Sequence, residues 1–180
     1  MKHEIKALPT YYKGVKFKSR LEARWAVYFD YMGISWQYEP QGFDLGDGIR
    51  YLPDFLLNGY VWAEVKAGSF DEQELEKCRR LTSQSKQDCL LLSGPPDAKI
   101  YEVLVNGIYD LIDGVWVKQD WVTQYCTVAY FKHNKYFFVD DHPDGITSVF
   151  EVQSPKINAA CNAAANAFSF KPKTYTRLRP

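Results

Sequence analysis

The four cysteines of this sequence, Cys78, Cys89, Cys126 and Cys161, are widely spaced and form no C-x-x-C unit. The chain therefore lacks both the ligand spacing of a zinc site and the framework of a disulfide-stapled fold, and reduced, buried thiols are expected. Long apolar runs are missing too. None approaches the roughly 20 residues of a membrane span, and the opening MKHEIKALPT has no apolar signal-peptide core. A soluble, cytoplasmic protein with no membrane partner is expected. Net charge is also absent: lysine plus arginine and aspartate plus glutamate both number 22, so the overall balance argues for no particular partner. No internal repeat stands out.

Aromatic and apolar side chains are present in quantity. With 13 Tyr, 11 Phe and 5 Trp, and 46% hydrophobic residues overall, disorder across the bulk of the chain is excluded. A length of 180 residues suits one well-buried core with embellishments. Charge is unevenly distributed. Residues 1–24 hold Lys2, Lys6, Lys13, Lys16, Lys18, Arg20 and Arg24 against Glu4 and Glu22, a local +5. Residues 168–180 add Lys171, Lys173, Arg177 and Arg179, a local +4, which leaves −9 for the middle. Basic ends around an acidic centre suit phosphate-binding arms beside a carboxylate metal site. Solvated termini on an acidic domain explain them equally well.

From Ser19 onward, Leu21, Trp25, Tyr28, Phe29 and Met32 recur at helical spacing, and Gly33 is a stop signal. Residues 34–39, ISWQYE, alternate like a half-buried strand, and Pro40 with Gly46-Asp47-Gly48 breaks the chain. Two aromatic-rich runs around Asn58-Gly59 then signal a hairpin. Ser69-x-x-Glu72 reads as a capping box opening a helix near 70–86, and residues 89–93, CLLLS, as a short buried strand. The order is helix, strand, strand, strand, helix, strand. Its last three elements predict a right-handed parallel crossover and its first three strands an antiparallel run. The fold class is therefore α/β (α+β) with a mixed central sheet. Strand-like runs at 100–105, 114–118, 121–131 and 135–139 predict an antiparallel β appendage over 97–150 on the same domain. Residues 159–167 predict a helix within the C-terminal segment 151–180, which ends in a basic tail.

The stretch YLPDFLLNGYVWAEVK, residues 51–66, poses the chemical question. Asp54, Glu64 and Lys66 interrupt a segment hydrophobic enough to be central, and each is costly to bury without a partner. Glu64 and Lys66, two apart on a strand, share a face. The side of Asp54 depends on the turn. A two-residue Asn58-Gly59 loop opposes Asp54 to Ala63 and turns it away from Glu64; a three-residue loop 57–59 opposes it to Trp62 and gathers all three charges on one face. A bulge has the same effect. Burial favours the single face, where the charges satisfy one another and a bound cation. On the first helix Glu22 projects about 20° from Phe29, at the flank of the apolar stripe. Ser19-x-x-Glu22 is also a capping box, in which Glu22 would bond the Ser19 amide. Both roles stay open.

Glu22 on a first helix, then Pro53-Asp54, then after nine intervening residues Glu64-Val65-Lys66, resembles the pattern of the PD-(D/E)xK nuclease superfamily. The stretches FKSRLEARWAVYFDYMGISWQYEPQGFDL, YLPDFLL and VWAEVK look similar to small nucleases of phages and mobile elements, and more distantly to the endonuclease subunit of two-component transposases. The resemblance spans about residues 12–96 and none of 97–180. It implies a restriction-endonuclease-like αβββαβ core within 1–96 and Mg²⁺-dependent hydrolysis of phosphodiester bonds, with Mn²⁺ able to substitute. The implied enzyme is a DNA endonuclease in a bacterial or phage-infected cell, leaving 5′-phosphate and 3′-hydroxyl ends. Asp54 and Glu64 would be metal ligands with the Val65 backbone carbonyl, through hard oxygens, and Lys66 would hold the attacking water. Glu22 would orient Lys66 or help hold a second ion. Lys13, Lys16, Lys18, Arg20, Lys171, Lys173, Arg177 and Arg179 are candidate nucleic-acid contacts. A homodimer or a larger nucleoprotein complex is left open. The rival reading is a non-catalytic module that keeps the fold to bind nucleic acid or a protein. Asp140, Asp141, His142 and Asp144 read as an exposed acidic turn around Pro143 and Gly145.

Overall fold

The computed structural model describes residues 7–99, 101–107, 109–126 and 155–168. A short hairpin, β1 (Thr10–Tyr12) and β2 (Val15–Phe17), precedes helix α1 (Arg20–Met32). Ser19 caps that helix by accepting the Glu22 amide, and Gly33 ends it at a φ of 78°, a left-handed value that glycine adopts without penalty. Strands β3 (Trp36–Tyr38), β4 (Phe43–Asp44), β5 (Arg50–Tyr51), β6 (Phe55–Leu57) and β7 (Val61–Lys66) follow. Helix α2 (Glu72–Ser85) then crosses over to β8 (Asp88–Ser93). Beyond it lie β9 (Tyr101–Asn106), β10 (Tyr109–Ile112), β11 (Val115–Lys118), β12 (Trp121–Cys126) and helix α3 (Pro155–Asn166).

Six strands form the central sheet in the order β12-β9-β8-β7-β6-β3. Strands β7 and β8 are parallel and the other neighbours antiparallel. The result is the mixed α/β sheet with helices on its faces. Because side chains alternate along a strand, β7 feeds two cores. Val61, Ala63 and Val65 pack with Trp25, Phe29, Phe55, Leu90, Leu92 and the α3 residues Ala160 and Ala164. Trp62 packs on the other side with Cys78, Leu81, Cys89, Leu91 and Leu104, under α2. Among the described residues no helix is long and apolar enough to cross a membrane.

Four details differ from the sequence expectation. The first arm of the hairpin is split, with β5 pairing to β4 and β6 to β7, because Pro53 between them cannot donate to a ladder. The cap of α2 is Asp71, with Glu74 completing the box, and not Ser69 with Glu72. A cap at 71 puts Phe70 and Leu75 at the two staple positions, and both pack on the α2-side core; a cap at 69 would offer Gly68 and Gln73. The expected appendage is partly spliced into the main sheet: β9 pairs with β8 and β12 with β9, while β10 and β11 form a separate hairpin. Strand β8 is thereby covered on both sides and exposes no unpaired edge. The last helix begins at Pro155, a residue pre-set for the first helical position. The runs expected between 127 and 154, including Asp140, Asp141, His142 and Asp144, lie outside the described residues, as does the basic tail.

Candidate active site

The tip of the β6–β7 hairpin sets the geometry. Asn58 and Gly59 take φ values of 50° and 77°, the Tyr60 amide donates to the Leu57 carbonyl at 3.1 Å, and the ladder resumes with Leu57 opposite Val61. The loop has three residues, but they are 58–60 and not 57–59. Asn58 fixes this choice: its Oδ1 accepts the Ser35 amide and hydroxyl, each at 2.9 Å, and its amide donates to the Ser35 carbonyl at 2.8 Å. The change of register is two residues, so parity is preserved. Phe55 opposite Ala63 carries Asp54 to a place opposite Glu64, on the face that Lys66 shares. It also carries Pro53 opposite Val65. Proline has no N–H to offer the Val65 carbonyl, and the Val65 amide donates instead to Asp54 Oδ2 at 2.8 Å.

Glu64 is 6% exposed, and each of its oxygens accepts one bond. Oε1 takes Lys66 Nζ at 3.1 Å and Oε2 takes the Tyr51 hydroxyl at 2.7 Å. Lys66 Nζ also lies 3.1 Å from Glu74 Oε1. The other oxygen of Glu74 accepts the Asp71 amide at 3.0 Å, while Asp71 Oδ1 accepts the Glu74 amide at 2.8 Å. Burial disfavours the Lys66 ammonium, but the charge of Glu64 and the hydrogen bonds to Glu74 and Glu64 outweigh it, and Lys66 is held above the ordinary lysine range. Burial, followed by the charge of Glu64, pushes the Asp54 carboxyl up to about 8; the Val65 amide opposes this, Glu22 adds to it and Lys66 offsets it. Burial, Cys78 and Glu64 push the Tyr51 phenol up, which keeps it a donor.

Glu22, 8% exposed, is held differently from the expectation. Its Oε1 accepts the Ser19 hydroxyl at 2.6 Å, and its Oε2 accepts the Lys18 amide at 3.1 Å and the Tyr38 hydroxyl. The carboxylate thus reaches one residue beyond the Ser19 amide. Its charge is felt at Asp54, so it borders the same cleft, but the carboxylates that hold Lys66 are Glu64 and Glu74. Sequence reasoning misses Glu74 and Tyr51. The Asp71-x-x-Glu74 box flanked by Phe70 and Leu75 is a usable signal for the first; nothing in the pattern marks the second. Of the basic candidates, Lys13 pairs with Asp30 at 2.9 Å and Lys18 with Glu39. Lys16 lies 6.0 Å from the Tyr11 ring centre, and Arg20 is exposed. Lys171, Lys173, Arg177 and Arg179 lie outside the described residues.

A cavity of about 550 Å³ between the 44–46 loop and α2 contains none of these residues. Another, of about 470 Å³, is lined by Ser69, Phe70, Leu75 and Ser93, the last being the register partner of Lys66, and this one adjoins the site. Among the described residues no group of three or more His, Cys, Asp or Glu side chains is arranged to hold a metal ion. The donors available at the hairpin are the two carboxylates Asp54 and Glu64 and the main-chain carbonyl of Val65. All are hard oxygens, a set that fits Mg²⁺ or Mn²⁺ and does not suit a thiolate-seeking metal. Burial first, and the charge of Glu64 after it, raise the proton affinity of Asp54, and a bound cation would favour its charged form. No family model, curated protein or solved structure matches the chain.

Proposed function

We propose that this chain is a metal-dependent nuclease with a restriction-endonuclease-like core, hydrolysing phosphodiester bonds of nucleic acid, DNA in the first place. One observation carries the reading. Asp54, Glu64 and Lys66 fall on one face of a hairpin in which Pro53 withholds a ladder donor from the Val65 carbonyl. That is the constellation which the PD-(D/E)xK resemblance implies. Asp54, Glu64 and the Val65 carbonyl would hold Mg²⁺ or Mn²⁺, which when bound polarises a phosphate oxygen and acidifies a water. Tyr51 keeps one oxygen of Glu64 oriented. Lys66 would hold the nucleophile and offset the charge that grows on the phosphate. Glu22, at the border of the cleft, would add charge for a second ion. By the resemblance the products carry 5′-phosphate and 3′-hydroxyl ends.

The second reading, a non-catalytic module that grips nucleic acid or a protein, has one observation in its favour: both oxygens of Glu64 already accept a hydrogen bond. A carboxylate has about four lone-pair sites, so these bonds leave room for a cation. The test is incubation of contaminant-free protein with Mg²⁺ or Mn²⁺ and a panel of duplex, single-stranded and branched DNA and of RNA. Cleavage of at least one substrate is expected. A protein that cuts nothing with either metal would be the binding module.

A further inference from the structure

We infer that Glu74 is a positioning residue for Lys66, an inference that rests on the nuclease reading of the site. Lys66 Nζ is shared between Glu64 and Glu74, 3.1 Å from an oxygen of each. The two partners are not equivalent. Glu64 is a proposed ligand, so its charge is divided between Lys66 and a bound cation. Glu74 is not among the proposed ligands; it sits in the first turn of α2, and its other oxygen is pinned by the Asp71 amide at 3.0 Å. When Glu64 turns to a cation, Glu74 is the carboxylate that still holds the ammonium at the site. The capping box thus has two outputs: it starts the helix, and it aims a carboxylate across the 67–71 loop at the end of β7. Lys66 and Glu74 have side chains 30% and 27% exposed. The pair is half-buried, but Lys66 keeps Glu64 as a partner when the Glu74 charge is removed, so the loss should register in the chemistry more than in the folding.

Glu74→Gln separates the two outputs, because an amide oxygen can still accept the Asp71 N–H while the charge facing Lys66 is gone. In steady-state cleavage kcat should fall about tenfold with KM changed less than about twofold, as expected when a group is misplaced and binding is not. The thermal midpoint should stay within about 2 °C of the parent, because Lys66 keeps Glu64 as a partner. In a Lys66→Ala background the same substitution should have no further effect, since Glu74 acts through Lys66. A readout independent of turnover is the ammonium NMR signal of Lys66 in metal-free protein, which the double pairing slows in exchange and which Glu74→Gln should weaken. Glu72→Gln is the control: it removes a charge from the same first turn, but one paired with Arg79 and not with Lys66, and should leave kcat near the parental value. Parental kcat in Glu74→Gln, an undiminished loss in the Lys66→Ala background, an unchanged Lys66 signal, or an equal loss in Glu72→Gln each overturns the positioning role and leaves the nuclease reading standing. A parent that cuts no substrate removes both.

Discussion

At Asp54 one side chain does two things: it takes the Val65 N–H that the broken ladder leaves over, and it sets a second negative charge beside Glu64. A carboxyl raised from 3.8 to about 8 keeps, in the folded chain, a proton that the unfolded chain has released. The raised pKa therefore favours the fold at low pH, and the advantage is lost as pH rises through the folded value. In metal-free protein the thermal midpoint should fall from about pH 5 to about pH 9, more steeply in the parent than in Asp54→Asn, and saturating Mg²⁺ should flatten the parental slope. Equal slopes in parent and variant would remove the uncompensated charge. Lys66→Ala should lower cleavage by about 100-fold or more while metal and DNA binding survive, whereas Glu64→Ala should impair metal binding as well. Calorimetry, DNA affinity and cleavage on both variants distinguish the two roles. That Asp54 shares a face with Glu64 and Lys66 is legible only through burial, which favours a three-residue loop over the two-residue Asn58-Gly59 turn; the observed register differs from that expectation by two and keeps its parity. Glu74 is not legible, because its contact with Lys66 depends on the path of the 67–71 loop, which no periodicity encodes.

Among the elements, the hairpin does the most, and its proline is the informative residue. If Pro53 keeps the Val65 carbonyl open by lacking an N–H, then Pro53→Ala restores a donor and lets the ladder run one pair further. Metal affinity measured by calorimetry should drop severalfold in this variant with no loss of thermal stability. Unchanged affinity would mean that the carbonyl is not a ligand. Helix boundaries show where local rules stop. Ser69-x-x-Glu72 and Asp71-x-x-Glu74 obey the same capping rule, and only the burial of Phe70 and Leu75 against the α2-side core chooses between them. Strand partners are harder still: residues 100–105 read as a strand from their pattern, but that β9 lies in the central sheet beside β8 is a fact of long-range pairing. Helices α1 and α2 and the hairpin between them are readable because apolar periodicity and turn residues mark them locally.

Across the whole molecule the basic N-terminal segment is less free than its charge suggests. Lys13 and Lys18 already have carboxylate partners, while Lys16 and Arg20 have no ion pair among the described residues. Neutralising Lys16 and Arg20 together should reduce the salt slope of DNA binding by about 1 to 2, and neutralising Lys13 and Lys18 should reduce it less. Equal slopes for parent and both double variants would assign the segment to solvent. One packing relation joins distant parts of the chain. Helix α3 lies on α1, where Ala160 and Ala164 meet the same core as Trp25 and Phe29, and Arg24 and Lys156 each bond a carbonyl of the opposite helix. About 120 residues separate the two helices. A ribosome adding 5–20 residues per second needs roughly 6 to 25 s to cover that distance. Until then the nascent chain should leave that aromatic and aliphatic surface uncovered, and a chain truncated ahead of α3 should aggregate where the full chain does not, which light scattering of the two checks.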